Sequence, residues 1–216
     1  MDATDTPTEF YISPSYKRSD WSNLNISCDL EPTAKWNTAT AILKDRLCGR
    51  FLNPAQTLID NDPESPGRAS SGFAIMALCF LVAETIQGFR EGVTNHTRKS
   101  TGLCINFFKQ WSAFGECLSE DQGVEELAKK LYQNGRCALL HSAATDELLI
   151  GRQGPMISFE TGGIIRVNRT IFHQKLLEEL DSYLDLLKAP DQNNLRQNFI
   201  TKMNYICGVV PEQAAQ

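Results

Sequence analysis

Imidazole is scarce in this 216-residue chain, which holds three histidines, His96, His141 and His173. Acid–base chemistry near neutral pH therefore has few places to happen. His96 sits in the turn-forming run EGVTNHTRKS, where a solvated loop residue is expected. His173 falls in the first turn of a late helix beside Arg169, and is also expected at the surface. His141 differs from both. It follows Arg136 in the segment RCALLH, inside one continuous helical pattern whose period puts Arg136 and His141 on opposite flanks of a strip made by Cys137 and Leu140. The main apolar stripe of the same helix runs through Val124, Leu127, Ala128, Leu131, Ala138 and Leu139. The helix is thus apolar nearly all round at this turn, and its second face needs cover from another helix or from a second subunit. A guanidinium and an imidazole beside such a face are partly desolvated. Together they suit phosphoryl chemistry: the imidazole takes or gives a proton, and the guanidinium fork holds phosphate oxygens.

Glu84 is the third residue of interest. It ends the apolar run from Phe73 to Ala83, which continues through Ile86 and Phe89, too short for a membrane span of about 20 apolar residues. A carboxylate on such a buried helix is expected to pair with Arg136 and orient it, to form a structural salt bridge with another cation, or to lie near the helix end.

The elements that must position these residues are mostly helices. Residues 1–32 are polar and proline-bearing, with scattered aromatics (Phe10, Tyr11, Tyr16, Trp21) suited to an extended arm lying along the body. A helix follows from Thr33 as N-cap, with Trp36, Ala39, Leu43, Leu47 and Phe51 in phase and Pro54 stopping it. Residues 60–72 form a loop, Phe73 begins the buried helix, and 92–102 is a turn. The aromatic helix LCINFFKQWSAF is closed by Gly115, and the motif helix opens at Ser119. PMISF and GIIRV, separated by ETGG, predict one small β-hairpin at about 148–168. Two helices close the chain, one from Thr170 (Phe172, Leu176, Leu177, Leu180, Tyr183, Leu184, Leu187) and one from Asp191 (Leu195, Phe199, Met203, Ile206). The expectation is a mainly α protein: a helical bundle over 33–208, the hairpin inserted after the motif helix, and a tail at 209–216.

The net charge of -5 and pI near 5.3 argue against binding nucleic acid through the overall field. Charge is unevenly placed, however. From Lys129 to Lys175 there are seven basic and three acidic residues, a local excess of +4, and Lys129, Lys130, Arg166 and Arg169 are the candidates to meet a phosphate backbone. Seven cysteines without a CxxC pair fit reduced thiols, several acting as small buried hydrophobes. The N-terminus lacks a basic start followed by an apolar stretch, so no secretory leader is expected. The cytoplasm is then the expected location, the sequons at Asn25, Asn95 and Asn168 are chance matches, and neither a metal nor a cofactor is expected.

RCALLH resembles the R-x4-H signature of the HEPN superfamily (higher eukaryote and prokaryote nucleotide-binding domains), all-helical bundles found in many ribonucleases of toxin, CRISPR and antiviral systems. The resemblance covers this motif and the helical order from about 34 to 206, not the arm. With the family's tolerance of four to six intervening residues, Arg90–His96 and Arg166–His173 also fit, but the first runs through Gly92 out of a helix and the second crosses from strand to helix. The resemblance implies a metal-independent endoribonuclease in which Arg136 and His141 act on RNA, Glu84 supports them, and two copies meet across Cys137 and Leu140 to form one composite cleft. RNA carries its own nucleophile, the 2′-hydroxyl, so the enzyme need only move protons and stabilise charge on phosphorus. An inhibitory or activating protein partner is implied by the toxin and defence roles. Cys137 stands where many members carry a polar residue, and Ser142 and Ala143 where some carry a tyrosine. Two alternatives remain open: a catalytically silent helical interaction module of the same fold, and a nucleotide-binding sensor that holds a phosphate without cutting.

Overall fold

A computed structural model of the chain describes residues 9–29, 34–62, 71–118, 123–139, 147–160 and 162–209. The helix α4 (Gly72–Arg90) is the element on which the others converge. Its Ile75, Met76, Cys79, Phe80, Val82, Ala83, Ile86 and Phe89 are buried, more than one face of a helix can supply, and this is the signature of an interior helix. By length and composition α4 is the one described helix that could cross a membrane, but 67% of its apolar window is buried inside the fold.

Around α4 lie α2 (Ala34–Leu47), α3 (Asn53–Asp60), α5 (Ser100–Gln110), α7 (Val124–Lys130), α8 (Arg169–Lys188) and α9 (Asn193–Cys207), with short helices α1 (Arg18–Ser22) and α6 (Ser112–Gly115). The sequence period fixes which faces turn inward: Trp36, Ala39, Leu43 and Leu47 of α2, and Phe172, Leu176, Leu180, Tyr183, Leu184 and Leu187 of α8, are buried as spaced. Mainly helical character is therefore as expected. The Thr33 and Ser119 caps and residues 210–216 of the tail lie outside the described residues.

Four local expectations are corrected. Pro54 does not stop α2. A π-helical segment, Cys48–Leu52, carries the chain on into α3, where Pro54 takes a place in the first turn that needs no N–H. At Gly49 in this segment the N-terminal arm packs close, since a Cβ there would stand 2.6 Å from Pro14 Cγ. The aromatic helix breaks at Trp111, whose ψ of 108° is extended, before α6 reaches Gly115. The arm is not simply extended. It contains α1 and buries Ile12 and Trp21; the Trp21 indole donates to Asn204 Oδ1 at 2.8 Å and its ring meets Phe199 at 5.6 Å.

The fourth correction concerns the hairpin. β2 (Ile157–Phe159) and β3 (Ile165–Asn168) do pair antiparallel, but β1 (Leu148–Gly151) joins the other edge of β3 in parallel, giving a three-stranded sheet of order β1-β3-β2. Four apolar residues are too few for periodicity to mark a strand. Asn168 links sheet to helix: its Oδ1 accepts from the N–H groups of Thr170 and Ile171 at 3.2 and 3.3 Å, and its Nδ2 donates to the Arg152 and Gly154 carbonyls. It is an N-cap that also pins the loop after β1.

Candidate active site

Arg136 is delivered to α4 by a second π-helical segment, Leu131–Cys137, which continues α7. The wider turn slips the helical phase by part of a residue, so Gly135 and Leu139 are buried while Ala138 is only half-buried, against the uniform stripe expected from 100° per residue. Such insertions are rare and recur at functional sites. Gly135 is needed at the crossing because a Cβ there would stand 2.8 Å from Phe80 Cζ. One residue later the Arg136 Nη2 reaches Glu84 Oε2 at 3.1 Å, with side chains 21% and 8% exposed. The guanidinium lies 5.8 Å from the centre of the Tyr132 ring, and its Nε is buried with no hydrogen-bond acceptor among the described residues. Burial works to lower the Arg136 pKa, but Glu84, then Tyr132 and Cys137, outweigh it and raise the value. The guanidinium stays charged. The pairing expected between Glu84 and Arg136 is thus present in the geometry.

Glu84 has a second partner. Its Oε1 accepts from His96 Nδ1 at 2.8 Å, and the other ring nitrogen, Nε2, lies 2.6 Å from Lys202 Nζ, which also donates to the Val93 carbonyl at 2.7 Å. His96 is therefore no solvated loop residue. Gly88 explains how the turn after α4 and the helix α9 come so close. A Cβ on Gly88 would stand 2.5 Å from both His96 Nε2 and Lys202 Nζ. Four side chains from four parts of the chain (Glu84, His96, Arg136, Lys202) thus form one continuous polar array beside bare helix backbone. The sequence pattern around His96 points to a solvated loop, and nothing in it marks Lys202; the signal for their meeting is a glycine inside the most apolar helix, which implies a close approach.

His141 and Leu140 lie outside the described residues. Cys137 is half-buried, and all seven cysteines are free thiols. His173 departs from its expected surface place: it is buried in α8, its Nε2 donates to the Leu52 carbonyl at 2.9 Å, and burial lowers its pKa.

The basic candidates divide. Lys129, Lys130 and Arg166 are on the surface, each beside a local glutamate (Glu125 at 3.1 Å, Glu126 at 3.7 Å and Glu160 at 2.6 Å). Arg169 is not on the surface. It is 2% exposed and forms an ion pair with buried Asp62, which also meets Arg152 at 3.0 Å. This cluster ties the end of α3 to the start of α8, so Arg169 has no access to a nucleic acid in this fold.

No family model matches the chain, and neither a curated protein nor a solved structure is similar to it.

Proposed function

We propose that the chain is a HEPN-like, metal-independent endoribonuclease of the cytoplasm, working as a homodimer in a toxin or antiviral setting, with an inhibitory or activating partner. The observation that carries this reading is the ion pair between Arg136, the first residue of the R-x4-H segment, and Glu84 on the preceding core helix. A guanidinium oriented by a buried carboxylate and still one fifth exposed can present donors to the phosphate of a bound RNA. His141, five residues on, supplies the imidazole for proton transfer to or from the 2′-hydroxyl and the 5′-oxygen.

Dimer formation is supported by the face of α4 that leads to this array. Phe73 and Leu81 are 43% and 40% exposed, and at 100° per residue they share a face with Glu84 and Gly88. A second copy laid along this strip and past Cys137 would bring the Arg136 residues of the two copies together. Arg136→Ala is expected to lower RNA cleavage by about 10²–10³-fold, the usual cost of one charge-stabilising donor, while the solution mass stays that of a dimer. Unchanged cleavage in the folded variant, or a strictly monomeric wild type, contradicts the reading.

A further inference from the structure

Glu84 is approached by two cationic arms, and the balance of charge between them matters. A carboxylate that had only Arg136 for a partner would consume the guanidinium's charge and leave little to attract a phosphate. Lys202 supplies a second positive charge on the far side of the same carboxylate, transmitted through the His96 ring.

We propose that Lys202, acting through His96, is the counter-cation of Glu84, so that Arg136 keeps its positive charge for a phosphoryl group of the substrate. The inference rests on the ribonuclease reading. The ammonium donates to His96 Nε2, which fixes that nitrogen as the acceptor and leaves the ring proton on Nδ1, aimed at Glu84. Both ring nitrogens are then engaged, so His96 has no lone pair or proton to offer a substrate. His96 and Lys202 are positioning residues. With the ring neutral, one carboxylate faces two cations, and the array carries one net positive charge. That charge is available at Arg136, whose side chain is 21% exposed, whereas Lys202 is buried.

The relay has a built-in limit in pH. The groups facing Lys202 are His96 and the Val93 carbonyl in the turn, Glu84 and the Phe89 ring at 5.3 Å on α4, and, at longer range, Arg46 on α2. Burial lowers the Lys202 pKa to about 8, Glu84 works to raise it and Arg46 to lower it. A base with a lowered pKa is charged below that value and neutral above it. Anion binding at Arg136 should therefore be strong below about pH 8 and weaken as pH rises through it.

The test uses a short 2′-O-methyl oligoribonucleotide, which lacks the nucleophilic hydroxyl and so reports binding without cleavage. The full chain is titrated with it near pH 7 and near pH 9, on either side of the Lys202 transition. Wild type is expected to lose about tenfold in affinity over this interval, the effect of one nearby charge in a partly solvated site. Lys202→Met should bind near pH 7 as weakly as wild type does near pH 9, and show no further fall. Lys202→Arg, whose charge does not titrate, should bind like wild type near pH 7 and keep that affinity near pH 9, which guards against misfolding of the Met variant. A folded Lys202→Met that binds and responds to pH like wild type overturns the relay, as does a wild type that fails to bind the probe. Failure of the ribonuclease reading is distinct: a chain that binds with this pH profile yet leaves cleavable RNA intact keeps the relay and loses the catalysis.

Discussion

At the scale of single residues, the site is an arrangement of buried charges held by what is missing at Gly88. Desolvated ions are tolerated when paired and hydrogen-bonded, and Glu84 satisfies this from both oxygens. Adding one methyl at Gly88 would push against His96 and Lys202 together. Gly88→Ala is expected to destabilise the fold by about 1–3 kcal/mol through overpacking, read as a lower urea midpoint with an unchanged slope; a variant as stable as wild type would mean that the approach is looser than the distances imply. That Glu84 needs a cation was legible in sequence, because an acid amid apolar neighbours demands one; that the cation is Arg136 was one of the open alternatives, and the structure places that pair together. His96 and Lys202 were not. The turn around His96 has the composition of a solvated loop, and its contact with Lys202 spans 106 positions, a distance over which periodicity carries no information.

At the scale of elements, the helices were legible and their irregularities were not. Apolar spacing located α2, α8 and α9 because burial on one side leaves a period of 3.6 in the sequence, and an unbroken apolar run located α4. The two π-helical segments leave no such trace. Each adds part of a residue to a turn, and the phase after it must be read from what the helix meets: Pro14 over Gly49 in one case, Phe80 over Gly135 in the other. The second of these sets the direction of Arg136. The β1 strand was hidden for another reason: it is short, and its partner β3 follows β2 in the chain although it lies next to β1 in the sheet. Arg169 illustrates how an element boundary can hide a role. It is the first residue of α8, where sequence alone suggests surface, yet it is paired with Asp62 in the interior. Arg169→Met should cost about 3 kcal/mol, because the Asp62 carboxylate loses a buried partner, while RNA affinity per folded molecule stays unchanged. Weakened RNA binding without loss of stability would instead place Arg169 at the nucleic-acid surface.

At the scale of the whole molecule, an acidic chain with a local basic excess is read as an RNA-cleaving enzyme whose working unit is a pair. Lys129, Lys130 and Arg166 each have a glutamate beside them, so in the proposed reading the charge offered to a phosphate is that of Arg136. Exposed surface pairs of this kind contribute little to stability and can be exchanged for phosphate contacts. The catalytic claim itself depends on His141, whose place in the motif is known from sequence and whose imidazole is the proton carrier in the proposed reaction. The direct measurement is cleavage of a single-stranded RNA, in the presence of EDTA, by wild type and by His141→Ala at equal folded concentration. The account predicts cleavage by wild type and a loss of at least about 10²-fold in the variant, the scale of a general acid or base. Equal cleavage by both proteins, or none by well-folded wild type, contradicts it.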